Sequence, residues 1–140
     1  MTAKPFDLCV RLILFDQHGY VLVLKRSPES KIDPSRWELP GGKIKTDETF
    51  DTALKREIQK ETGFTVAIHT AAGTAMQETD EFRVINLVMI GTILSGGLSI
   101  GKDHCEYRWV GLPEISVLDK ADWFTEYFGM YMNAPAPQKE

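Results

Sequence analysis

Positive charge is what this chain has too little of: 16 Lys and Arg stand against 20 Asp and Glu, for a net charge of −4. A protein that grips nucleic acid or an anionic membrane surface carries the opposite balance, usually as a basic patch. The balance argues against a general nucleic-acid or membrane-surface binder. Cysteine is scarce as well. Cys9 and Cys105 are the only two, in or beside expected strands, and read as reduced packing thiols rather than a disulfide framework. Long apolar runs are missing. The longest, Val84 to Leu94, is interrupted by Asn86 and is too short to cross a bilayer as a helix. The opening MTAKPFD is polar and no signal-peptide pattern follows it, so a cytoplasmic protein is expected. Internal repeats and composition breaks are absent too.

What is present suits one ordinary domain. The 140 residues are 43% hydrophobic and 26% charged, within the usual range for a globular chain. We expect a single domain over residues 1–132 and a disordered Pro/Ala-rich tail over 133–140. Leu8–Phe15 and Tyr20–Lys25 read as a hairpin around the Asp16-Gln17-His18-Gly19 turn. A polar loop, Arg26–Arg36, leads to a short strand at Trp37–Leu39. Phe64–Thr74, Glu81–Leu94 and Glu106–Val110 are further strands. Helices are expected over about Glu48–Thr62 and over Lys120–Met132, the latter with Trp123, Phe124, Tyr127, Phe128 and Tyr131 on its apolar side. Strands before and after a central helix, with a second helix at the end, predict an α/β protein with a mixed sheet.

The segment Gly42–Phe64, GKIKTDETFDTALKREIQKETGF, carries the chemistry. Asp47 stands where an N-cap belongs, Phe50, Ala53, Leu54 and Ile58 form the apolar stripe, and Gly63 closes the helix. Off that stripe, Glu57 and Glu61 sit four residues apart on one side of the helix. A like-charge pair at that spacing costs a helix about 0.2–0.5 kcal/mol. A cation between the carboxylates reverses the sign.

Gly42, Glu48, Arg56, Glu57, Ile58, Glu61, Gly63 and Phe64 fall at the spacing of the Nudix box. The segment thus resembles the signature of the Nudix (MutT-like) hydrolases, and Trp37-Glu38-Leu39-Pro40-Gly41-Gly42 resembles the usual lead-in. One position departs: Lys60 stands where the family has the first of two consecutive glutamates. The resemblance implies an α/β/α sandwich and Mg²⁺- or Mn²⁺-dependent hydrolysis of a nucleoside diphosphate linked to another group. A nucleotide is compatible with the negative net charge, because bound cations supply positive charge locally. The implied ligands are Glu57, Glu61 and the carbonyl of Gly42, with Arg56 orienting Glu57. Glu48 either touches metal or serves only at the helix N-terminus. A protonated lysine cannot ligate, so Lys60 predicts fewer or weaker cations, or a contact to substrate phosphate.

Outside the box the readings stay open. Glu106, in His104-Cys105-Glu106-Tyr107-Arg108-Trp109, resembles the family's late acidic position and is a candidate base, alongside Glu57 and the acidic loop of Glu78, Asp80 and Glu81. His104 reads as a surface histidine. Arg26, Arg11 and Asn86 are the candidate substrate-binding residues, the last two being polar positions inside apolar strands. Phe82, Trp109 and Trp123 can stack on a base or belong to the core. The family's ADP-ribose and dinucleoside polyphosphate subclasses carry a Pro or a Tyr beyond the box. The corresponding Thr79-Asp80-Glu81-Phe82 has neither. The expected activity is therefore conversion of a (deoxy)nucleoside triphosphate to monophosphate and pyrophosphate, by a monomer or homodimer. A Nudix-fold module that binds a nucleotide or sugar nucleotide without turnover is the alternative, and Lys60 is what favours it.

Overall fold

Strand β1 (Phe6–Phe15) alternates its side chains between two cores, and the whole architecture follows from that alternation. Val10, Leu12 and Leu14 enter one core with Leu22 and Leu24 of β2 (Val21–Arg26), while Ile13, Val21 and Val23 enter the other. The first core is closed by Ala53, Leu54 and Ile58 of α1 (Phe50–Thr62). The second is closed by Ile115 of α2 (Leu112–Val117) and by Trp123, Phe124 and Tyr127 of α3 (Asp122–Tyr127). A mixed sheet between two helical layers is the result, as the sequence predicts. The computed structural model describes residues 3–132, and the expected tail at 133–140 lies outside them.

Sheet topology creates the site. β1 runs parallel to β6 (Arg83–Ser95), which pairs antiparallel with β5 (Thr65–Glu78). β1 and β2 share only the Phe15/Val21 pair at their hairpin end. They then splay, and two short strands take up the space: β4 (Gly41–Lys43) pairs with β1, and β3 (Trp37–Glu38) with β2. β7 (His104–Val110) covers the far edge of β2.

Local differences from the expected elements have identifiable causes. Thr49, not Asp47, caps α1, its Oγ1 accepting from the Thr52 N–H at 3.2 Å, because a turn closed by Glu48 N–H to Lys45 O precedes the helix. Phe50 is consequently the first helical residue and 46% exposed rather than part of the buried stripe. The C-terminal helix is broken: Lys120 bridges to Trp37, and α3 passes into a π-helical turn at Phe128–Met132. Lys120 is buried instead of helical, its Nζ donating to the carbonyls of Ile115 at 2.8 Å and Leu118 at 3.2 Å. That contact satisfies the end of α2, whose last carbonyls have no helical partner. Tyr131 is half exposed and stacks on Tyr127 with ring centroids 4.9 Å apart.

Candidate active site

The wedge between β1 and β2 brings the glycine turn against α1. Gly41 has φ +145°, and a Cβ there would lie 2.0 Å from the Val10 carbonyl oxygen, so no side chain fits. Its N–H donates to Glu61 Oε1 at 2.7 Å. Gly42 is confined by a side chain and not by backbone: a Cβ there would lie 2.5 Å from Glu57 Oε2 and would displace that carboxylate. Glu57 and Glu61 therefore face the sheet, each under 10% exposed.

Arg56 holds Glu57 in place, and Glu48 holds Arg56. Arg56 Nη1 donates to Glu57 Oε1 at 2.5 Å, while its Nε and Nη2 grip Glu48 at 2.7 and 2.9 Å. Glu48 is thereby committed: both its oxygens serve Arg56, and Oε1 also accepts from the Lys45 N–H at 2.9 Å. The Arg56 bonds, then the Lys45 N–H, hold the Glu48 carboxyl down at about 2.

A second network, centred on Glu38, was not legible in the sequence. Glu38 is fully buried and accepts from Arg26 Nη1 at 3.0 Å on both oxygens, from Arg11 Nη1 and Trp123 Nε1 at 3.5 Å, and from His104 Nε2 at 2.8 Å. Burial pushes its carboxyl upward, but Arg11, the His104 bond and Arg26 outweigh it and hold the group at about 2. His104 is thus a buried residue, its side chain 2% exposed, and not a surface histidine. As the first residue of β7 it pairs with Arg26, past a register shift in the β2 ladder that turns it inward. The signal for Glu38 was a carboxylate between the apolar Trp37 and Leu39, both buried.

Glu38, Gly41, Gly42, Glu57, Glu61 and His104 line one cavity of about 590 Å³. Besides the acids, Arg11, Arg26, Lys43, Lys60 and Lys102 reach it, a local concentration of cations that net charge concealed. Lys60 is exposed at its edge and makes no ion pair among the described residues. A second cavity of about 210 Å³ shares Cys9, Arg11, Arg26 and Glu38 with the first and adds Asp33, Gln77, Phe82 and Trp123. Asn86 lies wholly buried beneath Arg11, its Oδ1 accepting from Arg11 Nε at 3.0 Å, and is on neither cavity wall. Glu106 pairs across the ladder with Lys25, accepts from Arg108 at 3.4 Å and does not line the cavity. Glu78 is engaged with Lys4 and Arg83 at the protein surface. Trp109 packs against Phe64 of the α1 core, whereas Phe82 and Trp123 form walls of the smaller cavity.

The donor set fits a divalent cation. Glu61 Oε2 has no hydrogen-bond partner among the described residues, and burial, partly countered by His104 and the Gly41 N–H, raises the Glu61 carboxyl to about 7. Among the described residues no three His, Cys, Asp or Glu side chains are grouped to hold a metal ion, so the donors are the two carboxylates and the glycine carbonyl. An open site that leaves positions for water and substrate is what hard cations in phosphate chemistry require. The raised carboxyl has a consequence for the metal-free protein. Between the ordinary carboxyl value and about 7 the folded state holds a proton that the unfolded state lacks. Its contribution is complete below about pH 4 and is lost as pH rises through about 7. Thermal unfolding in chelator should show stability falling by on the order of 2–3 kcal/mol from this group between pH 5 and 8. Stabilisation by added Mg²⁺ should be greater at pH 8 than at pH 5; equal stabilisation would place the cation elsewhere.

The family model described as NUDIX domain matches residues 5–130. A MutT-like protein of Streptomyces ambofaciens is 33% identical over 117 residues, 82% of this chain and 71% of that one. An 8-oxo-dGTP diphosphatase of Proteus vulgaris is 29% identical over 93 residues, 66% of this chain and 82% of the relative. The crystal structure of a MutT protein from Methanosarcina mazei Go1 superposes with a TM-score of 0.84 at 31% identity, covering 92% of this chain and 94% of the other. The chain belongs to the Nudix family. It is a pyrophosphohydrolase of the MutT-like kind.

Proposed function

We propose that this chain hydrolyses a (deoxy)nucleoside triphosphate to the monophosphate and pyrophosphate, with Mg²⁺ or Mn²⁺ bound by Glu57, Glu61 and the Gly42 carbonyl. One observation carries the reading: three buried carboxylates, Glu38, Glu57 and Glu61, and five cationic side chains share a cavity that adjoins a smaller one walled by Phe82 and Trp123. When bound there, a divalent cation would neutralise phosphate oxygens and acidify a water. The protein's own part is charge and position. Arg11, Arg26, Lys43, Lys60 and Lys102 take the polyphosphate oxygens, and Glu57 is the carboxylate available to accept the water's proton. Asn86 acts through Arg11, keeping that guanidinium turned toward the cavity. The base occupies the smaller cavity, where Gln77 and Asp33 bond each other at 3.0 Å. The 8-oxo-dGTP diphosphatase of Proteus vulgaris makes an oxidised purine triphosphate the first substrate to try. Free thiols at Cys9 and Cys105 suit a cytoplasmic enzyme.

A panel of nucleoside triphosphates and nucleoside diphosphate derivatives, with Mg²⁺ and with Mn²⁺, tests this when phosphate and pyrophosphate are measured separately. Pyrophosphate release from a triphosphate is expected. Release of orthophosphate alone would put the cleavage at a different bond, and binding without turnover would leave a nucleotide-binding module.

Arg56 is a positioning residue in this reading, since it holds Glu57 while Glu48 holds it. Arg56→Lys keeps the charge and loses the planar fork. We expect kcat to fall by roughly 10–100-fold with KM changed by less than about threefold. A large rise in KM at unchanged kcat would make Arg56 a substrate contact.

A further inference from the structure

The His104 ring has one nitrogen accounted for and one not. Glu38 is ionised and can only accept, so the 2.8 Å contact puts a proton on Nε2. In the neutral imidazole, the form that binds a cation, Nδ1 then carries the lone pair. It is buried, has no hydrogen-bond partner, and lies 3.8 Å from Glu61 Oε2. That gap is too long for a hydrogen bond. It is shorter than the sum of two metal–ligand bonds of about 2.0–2.2 Å each, so one cation can touch both atoms without either moving. A carboxylate that fixes the tautomer of an imidazole whose other nitrogen faces a cation is the usual support of a histidine ligand.

We propose that His104 Nδ1 and Glu61 Oε2 together form a mixed nitrogen–oxygen cation site in this cavity. The inference rests on the metal-dependent reading above and extends it. It assigns a ligand from β7 that lies outside the box helix, on the same cavity wall where Lys60 removes a carboxylate. The ligand type sets the preference. Mg²⁺ takes oxygen and dehydrates reluctantly, whereas Mn²⁺, Co²⁺ and Zn²⁺ accept imidazole, with affinity rising along that series. The site therefore selects a first-row divalent ion over Mg²⁺. Glu38 is its positioning residue, and Arg11 and Arg26 neutralise Glu38 so that its own charge does not draw the ion away.

The test is thermal unfolding of the wild-type chain and of His104→Gln across separate titrations of Mn²⁺, Zn²⁺ and Mg²⁺, with hydrolysis followed in parallel. Glutamine can still donate to Glu38 but offers no imidazole. The midpoints of Mn²⁺- and Zn²⁺-dependent stabilisation should rise by at least ~30-fold in the variant, and the Mg²⁺ midpoint by less than ~3-fold. Equal shifts for all three ions, or none, would overturn the assignment; a bridging water between Nδ1 and Oε2 gives that outcome. Should the variant fail to fold, wild-type chain with ¹⁵N-labelled histidine replaces it. His18, His69 and His104 are the three histidines, and Zn²⁺ should shift the Nδ1 resonance of His104 with its Nε2 proton retained. An Nδ1 resonance that Zn²⁺ does not move would refute the site. Failure of this proposal alone leaves hydrolysis and Mg²⁺-dependent stabilisation intact. Loss of both in the wild type would sink the underlying reading as well.

Discussion

Replacing Glu61 by glutamine is expected to lower turnover by at least ~100-fold while making the metal-free protein more stable at pH 8. The two effects share one cause. Glu61 is 7% exposed and held at about 7 by burial, so its ionised form is unfavourable until a cation neutralises it. Glutamine keeps the acceptor for the Gly41 N–H and removes the charge. In chelator the variant should gain on the order of 1–3 kcal/mol at pH 8, read from urea unfolding. With metal present, the loss of charge stabilisation at the phosphate should dominate the rate. A variant that keeps turnover within a few-fold of wild type would remove Glu61 from the chemistry. One that loses both turnover and metal-free stability would make it a structural carboxylate. The opposed signs are the diagnostic feature, because sites built for function commonly cost the scaffold stability.

Glu38→Ala should have the largest effect on folding. Arg11, whose side chain is 10% exposed, would keep its charge with no carboxylate beside it, and His104 Nε2 and Trp123 Nε1 would lose their acceptor. Removing one partner of a buried ion pair costs about 3–5 kcal/mol, a large share of the roughly 5–15 kcal/mol that holds a domain together. Chemical denaturation measures it directly. Glu38→Gln, which retains an acceptor, should fall between the two. A cost below ~1 kcal/mol for Glu38→Ala would mean that solvent reaches Arg11 and that the network is not structural.

Local signals in the chain determined a good deal. The apolar, β-branched runs of β1 and β2, the apolar stripe of Ala53, Leu54 and Ile58, and the spacing of Gly42, Arg56, Glu57, Glu61 and Gly63 are properties of short segments, and short segments are what a sequence displays. They specified the α/β layering and identified the helix that carries the acids. Cap and helix limits shifted where longer contacts intervened: Lys120 left the expected helix because Trp37, far away in the chain, pairs with it. The positions of Glu38 and His104 were of another kind. Residues 38, 61 and 104 meet only because β1 and β2 splay to admit β3 and β4 and because β7 closes on β2 past a register shift. No local pattern encodes that meeting. A charged residue reads as exposed until its partners are known, since burying it is unfavourable unless those partners are present. The partners of Glu38 are contributed by β1, β2, β7 and α3, and of Glu61 by β4. The sequence therefore determined which residues can do the chemistry, and the tertiary structure decided which of them share the low-dielectric cavity where the chemistry is possible.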